Sequence, residues 1–166
     1  MRATALPRSK GRDYLPSRFK LTVWESLNPF YEELLGRDIS TLNELEQWLY
    51  DRSELDAFVS ESFAWRYIKI SGNSADKQAQ ASYQYAVKEL SPLIADFTYQ
   101  LNYKLVNNAL TAQLNPTRFG IYMKAINNMV DLFRENNIAL ETEVQLSSKE
   151  HGKIFSEMDI NVNGVD

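Results

Sequence analysis

The chain has 166 residues, 44% of them hydrophobic, enough for one domain or a large lobe with its own core. Its formal net charge of −4 argues against a dedicated nucleic-acid binder, which needs a basic face to displace counterions from phosphates. With no cysteine, disulfides, thiolate metal ligands and thiol nucleophiles are excluded together. The apolar runs are too short to span a bilayer and the N-terminus has no secretory-signal pattern, so a cytosolic setting is expected.

Residues 1–13 read as a mobile basic tail: Arg2, Arg8, Lys10 and Arg12 stand against the single acid Asp13, with Pro7 and Gly11 among them. A transit peptide or a contact with an anionic surface is the alternative reading. An extended lead-in through Pro16, Arg18 and Lys20 follows. The first helix is expected to start at Asn28-Pro29, with Asn28 as cap and Pro29 at the first helical position. Phe30, Leu34 and Leu35 then share a face, and Gly36 closes the helix.

Thr41-Leu42-Asn43-Glu44 is a capping box, and the helix it opens should run towards Ile70. Leu42, Leu45, Trp48, Leu49, Leu55, Phe58, Val59 and Trp65 follow helical spacing loosely along it. Ser71-Gly72-Asn73-Ser74 supplies a stop and a new cap. Beyond it, Ala79, Tyr83, Ala86, Leu90, Leu93 and Phe97 alternate spacings of four and three, and Leu101, Leu105 and Ala109 continue the stripe, the pattern of bundle or coiled-coil packing. An unbroken helix from Ser74 to Leu114 would be roughly 60 Å long, against about 40 Å for a compact globule of this size. The fold is therefore expected to be elongated or the helix bent. Pro92 is the candidate bend; alternatively Ser91-Pro92 ends one helix and starts another.

Asn115-Pro116 repeats the cap-plus-proline signal, and Phe119, Tyr122, Met123, Ile126, Met129, Val130 and Phe133 mark an apolar face up to Asn136-Asn137. Ser147-Ser148-Lys149-Glu150 offers another capping box, leading through Ile154, Phe155 and Met158. Asp159-Ile160-Asn161-Val162 then alternates like a half-buried strand and Asn163-Gly164 is a hairpin-turn signal. A strand needs a partner, so residues 159–166 are expected to be the first strand and turn of an incomplete hairpin, and the chain the first piece of a longer polypeptide. The predicted fold class is all-α: an elongated multi-helix array over residues 14–158, centred on a long antiparallel helical hairpin from Thr41 to Leu114, ending in the start of a β-hairpin.

No catalytic, cofactor-binding or metal-binding residue is assigned. His151 is the single histidine, so a zinc site on two histidines is impossible within this sequence, and it is read as a surface residue. A di-iron Glu-x-x-His pair fails because position 148 is serine, no nucleophile-elbow sequence supports a serine triad, and the six glycines are scattered with no phosphate loop. Glu32, Glu33, Glu44, Glu46, Glu54, Glu61, Glu141 and Glu143 are read as solvated helix faces in preference to an acid/base pair. The run Phe63-Ala64-Trp65-Arg66-Tyr67-Ile68-Lys69 is suited to stacking on a ligand or peptide, but is read as core packing with snorkelling cations. Tyr83, Tyr85, Tyr99 and Tyr103 line more than one face of the long helix, a hint of a binding surface.

Several stretches resemble a known family. Tyr14-Leu15-Pro16 leads into Trp24-Glu25-Ser26-Leu27-Asn28-Pro29-Phe30-Tyr31-Glu32-Glu33-Leu34-Leu35, then Leu45-Glu46-Gln47-Trp48-Leu49, Asp51-Arg52-Ser53-Glu54-Leu55 and Ala64-Trp65-Arg66-Tyr67-Ile68. In this order they resemble the N-terminal region of oligoendopeptidase F and its relatives, zinc endopeptidases of the thimet oligopeptidase superfamily. Leu132-Phe133-Arg134-Glu135-Asn136-Asn137-Ile138 resembles the family's asparagine-rich break, with Ala139 where proline is expected. The resemblance implies a mostly helical parent peptidase with a channel for short peptides. Its zinc would be held by a His-Glu-x-x-His helix and a later glutamate, the motif glutamate activating the metal-bound water. None of those residues is here, so the chain would be a non-catalytic N-terminal lobe, part of the channel wall, with the catalytic half of its own polypeptide as partner. The competing reading is a stand-alone helical interaction module that uses the Ala79 to Ala109 stripe or the aromatic surface. Either form is open to self-association through exposed apolar surface.

Overall fold

In the computed structural model the described residues are 12–156 and Met158, and among them every regular element is helical. The order is α1 (Trp24–Gly36), α2 (Leu42–Gly72), α3 (Lys77–Tyr85), a π-helical turn (Ala86–Leu90), α4 (Ser91–Val106), a 3₁₀ turn (Ala109–Gln113), α5 (Pro116–Leu132) and α6 (Glu135–Ser156). The basic tail up to Gly11 and the strand and turn expected over residues 159–166 lie outside the described residues. The chain forms two compact units, Met1–Ser60 and Glu61–Asp166, divided within α2.

In the first unit, α1 begins four residues before the expected cap, at Trp24, and Pro29 lies inside the helix. Tertiary packing overrides the local cap signal here. Leu27, Tyr31 and Leu34 are wholly buried, which requires helical geometry before Pro29, and Trp24 stacks on Tyr31 at 5.9 Å. Asn28 does not cap; its Nδ2 donates to Glu32 Oε1 at 2.7 Å along the surface. Gly36 ends the helix as expected.

The capping box of α2 is formed: Glu44 N donates to Thr41 Oγ1 at 3.3 Å, while Thr41 N donates to Glu44 Oε2 at 2.9 Å. Trp48 is wholly buried with its Nε1 donating to the Leu34 carbonyl at 2.8 Å, so the indole is dry and its one donor satisfied. The lead-in is tied down from the same helix. Glu54 accepts from the amides of Asp13, Tyr14 and Leu15 at 2.7–3.2 Å, and Leu15 and Leu21 are buried. The Tyr14 hydroxyl lies 2.6 Å from the Phe30 carbonyl and 2.9 Å from Glu33 Oε2, and Arg37 joins Glu33 to Asp51.

In the second unit, the cap of α3 is Asp76, not Ser74: Asp76 Oδ1 accepts from Gln78 N and Ala79 N, while Asn73 Oδ1 holds the turn before it through Ala75 N. Pro92 does not end the helix. Ser91 N donates to the Ala86 carbonyl, five residues back, in a π turn placed in the turn that precedes the proline, where an α geometry would press its ring on the Lys88 carbonyl. The extra residue in that turn rotates the following face. Ala86 and Leu90 are wholly buried, Leu93 is 41% exposed, and burial resumes at Leu101 and Leu105. The helix stops at Val106, short of the expected Leu114, and Asn108 caps the 3₁₀ turn by accepting from Leu110 N.

Asn115-Pro116 opens α5 as expected, Asn115 Oδ1 accepting from Thr117 N and Arg118 N. The break after it falls at Phe133-Arg134, and α6 is already helical from Glu135, twelve positions before the expected Ser147 cap. The backbone at Asn137 donates to the Arg134 carbonyl, so the asparagine pair sits in a first helical turn. Ala139, a strong helix former where a proline would interrupt, lets that turn propagate through Ser147 and Ser148.

Candidate functional site

The residues weighed as chemistry in the sequence do not converge on one centre. His151 is exposed on α6 and faces Phe155 at 5.8 Å between rings. Three of the glutamates make local contacts along or at the ends of helices: Glu32 with Asn28, Glu33 with Arg37, Glu44 at its cap. Glu54 departs from the solvated-face reading. Burial raises a carboxyl, but the amides of Leu15, Asp13 and Tyr14 outweigh it and hold Glu54 below the ordinary range. Its job is to pin the lead-in. Among the described residues no three His, Asp or Glu side chains come together as a metal site, and with one exposed histidine and no cysteine these residues do not fit zinc.

The aromatic run of α2 corrects its reading as core. Of residues 61–72 only Ile70 is buried; Trp65, Tyr67 and Ile68 are each more than half exposed. Tyr67 reaches Tyr83 on α3, ring centroids 6.1 Å apart at 55°, and the two border a cleft of about 530 Å³ whose far wall is α6. Helix spacing builds that wall. Gln145, Ser148, Lys149, Gly152 and Lys153 recur at three and four residues, so they project to one side.

Lys149 bridges the walls: its Nζ donates to Ser71 Oγ at 2.8 Å and stands 4.6 Å from the centre of the Tyr67 ring. Burial, and after it the neighbouring Tyr67, push the Tyr83 phenol up from its ordinary value, so it is a neutral donor across the physiological range. A second pocket of about 350 Å³ shares Ile70, Ser74, Tyr83, Lys149 and Lys153 with the first and extends to Gln84 and Lys88. The cleft thus combines phenols, hydroxyls, amides and ammonium groups, the donors of a binding site; the hydroxyl seen beside an amine, Ser71 Oγ, accepts from Lys149. Tyr83 was singled out in the sequence for this role. The lysines were not, because Lys149 meets Ser71 from 78 positions away and no local pattern reports such a pairing.

A further cleft of about 570 Å³ lies among α4, α5 and the start of α6. There Tyr99 stacks on Phe133 at 3.9 Å and 13°, and Asn102 Nδ2 lies 3.9 Å from Met129 Sδ. This places Tyr99 in the aromatic surface that the sequence hinted at; Tyr103 beside it is 53% exposed.

No helix among the described residues is long and apolar enough to cross a membrane. Neither a curated protein nor a solved structure matches the chain. A family model described as the peptidase M3 N-terminal domain does, over residues 16–133, from the pinned lead-in to the end of α5. That stretch is well over half of the sequence, and the chain belongs to the family of peptidase M3 N-terminal domains.

Proposed function

We propose that this chain is the non-catalytic N-terminal helical lobe of a cytosolic zinc oligoendopeptidase of the oligoendopeptidase F type. It forms part of the wall of a channel for short peptides, and the catalytic half of the same polypeptide supplies the His-Glu-x-x-His metal helix and its base. The observation that carries this reading is the family match over residues 16–133, joined to the order of motifs from Tyr14 to Ile68. No residue of this chain is given a catalytic or metal-binding role. The coding sequence downstream of Asp166 tests the proposal together with metal analysis of the 166-residue chain. We expect a His-Glu-x-x-His further along, under about 0.1 zinc per chain in the isolated piece, and no peptide cleavage by it. One tightly held zinc per chain, or a native product that ends at Asp166, overturns it.

The second reading, a stand-alone helical interaction module, draws on Ile121 and Leu132 of α5, 91% and 73% exposed. Intact mass of the native gene product separates the two.

A further inference from the structure

The cleft bounded by α2, α3 and α6 has a charge that its chain does not. The molecule carries a net −4, yet among the described residues Lys149 and Lys153 line this cleft with no carboxylate beside them in its wall, while Lys88 and Glu150 line the adjoining pocket. Low-dielectric walls concentrate such a field, so the cleft attracts an anion even though the molecule as a whole repels one. Its volume, about 530 Å³, falls in the range of sites that enclose small ligands. An ammonium has three donors; Ser71 takes one from Lys149, and the Tyr67 ring below it fixes where the head group stands. Beside it the Tyr67 and Tyr83 rings give an apolar platform with phenol donors at the rim.

An anion carried next to an apolar or aromatic side chain is the chemistry that matches this arrangement. Among the described residues no guanidinium lines the cleft, so its walls show no planar, two-point grip of the kind that favours phosphate. Two lysines, or three with Lys88 of the adjoining pocket, are also too few for a nucleic-acid backbone on an acidic chain. The C-terminal residue of a short peptide has both halves: a carboxylate for the ammonium groups and a side chain for the rings.

We infer that the cleft between Tyr67, Tyr83, Lys149 and Lys153 binds the C-terminal residue of short peptides, its carboxylate on the two α6 lysines and its side chain on the tyrosine pair. The assignment rests on the peptidase reading and deepens it, naming an anchoring site remote from the reacting bond. The whole α6 wall lies beyond the residues matched by the family model, which end at 133.

The test is calorimetric titration of the 166-residue chain with a pentapeptide of four alanines and a C-terminal phenylalanine, as the free acid and as its amide, and with inorganic phosphate. The free acid should bind, and amidation should weaken it at least tenfold, about 1.4 kcal/mol. Raising the salt from about 50 to 500 mM should weaken the free acid several-fold, because the Debye length shrinks to a few ångströms and screens the lysines. Lys149→Gln with Lys153→Gln should abolish the difference between acid and amide, whereas Lys149→Arg should retain most of it, with far-UV circular dichroism checking that each variant is folded.

Equal affinity for acid and amide, no binding of the acid at about 5 mM, or displacement of the peptide by phosphate at lower concentration than the peptide itself each overturns the assignment. The acid and amide comparison uses the unaltered chain, so it stands even if a variant fails to fold. A negative result here, with a His-Glu-x-x-His found downstream, removes the anchoring site and leaves the peptidase lobe intact. The absence of that motif removes the peptidase reading whichever way the titration goes.

Discussion

The two units spend their large side chains differently. In the first, Trp48, Tyr31, Leu27, Leu34, Leu45 and Leu55 are wholly buried, and polar contacts join distant segments: Glu54 to residues 13–15, Trp48 to Leu34, Arg37 to Asp51. In the second, α5 buries only Ile126 and no described side chain of α6 is fully buried, while Leu132, Val144 and Phe155 are each about two-thirds exposed or more. A region that uses its rings and donors inside has few of them left to offer a ligand. One whose phenols and ammonium groups border clefts has binding capacity, although it too has a core in Ala86, Leu90, Leu101 and Leu105.

The sharpest way to break this contrast is to hollow out the first unit. Trp48→Ala removes a dry indole and the bond its Nε1 makes to the Leu34 carbonyl, so stability should fall by about 3–5 kcal/mol, read by urea denaturation. Loss of hydrogen-exchange protection should concentrate in residues 12–60. Uniform loss across α4 and α5 as well would mean that the two units unfold as one, and the contrast would then describe packing without describing cooperativity.

A smaller effect is expected at the strap. Glu54→Gln keeps the shape but weakens the charge-assisted bonds to three amides, and because solvent reaches part of this carboxylate the cost should be about 1 kcal/mol. The sign with pH follows from the direction of the shift. A carboxyl held below its ordinary value, 4.5, stabilises the fold fully above that value and loses the contribution as pH falls through the lowered folded value. The wild type and the variant should therefore differ in thermal stability at pH 7 and converge in strong acid. A gap that stays constant down to pH 2 would show that the charge of Glu54 is irrelevant to holding residues 13–15.

What could be read in the sequence divides along the same physical line. Signals that act within four residues survived: the Thr41-Glu44 box, the Asn115-Pro116 cap and the stop at Gly36 are all formed. Signals that distant packing can outvote did not. Asn28-Pro29 has the chemistry of a helix start, but burying Leu27 against the core extends the helix past it. The even stripe from Ala79 to Ala109 assumed one unbroken period, and the π turn before Pro92 moved the face away from Leu93. Of the cleft, Tyr83 could be suspected from its spacing, whereas Tyr67 reads as core in the sequence and is 52% exposed. The cations could not, because α6 was expected to begin twelve positions late and its pairing with Ser71 spans most of the second unit.

The finest test compares two isoleucines of α5 that differ only in where the helix points them. Ile126 is 4% exposed and Ile121 91%. Ile126→Ala should cost about 2 kcal/mol, the low end of the large-to-small range, because a sparsely packed helix collapses more easily around the gap. Ile121→Ser should change stability by less than about 0.5 kcal/mol, since a residue already in water loses no burial. Both are read from denaturation midpoints at low and high protein concentration. If Ile121→Ser costs more than about 1.5 kcal/mol and the loss grows with concentration, this face is covered by another chain in solution, and the exposed side of the second unit would have to be counted as an interface.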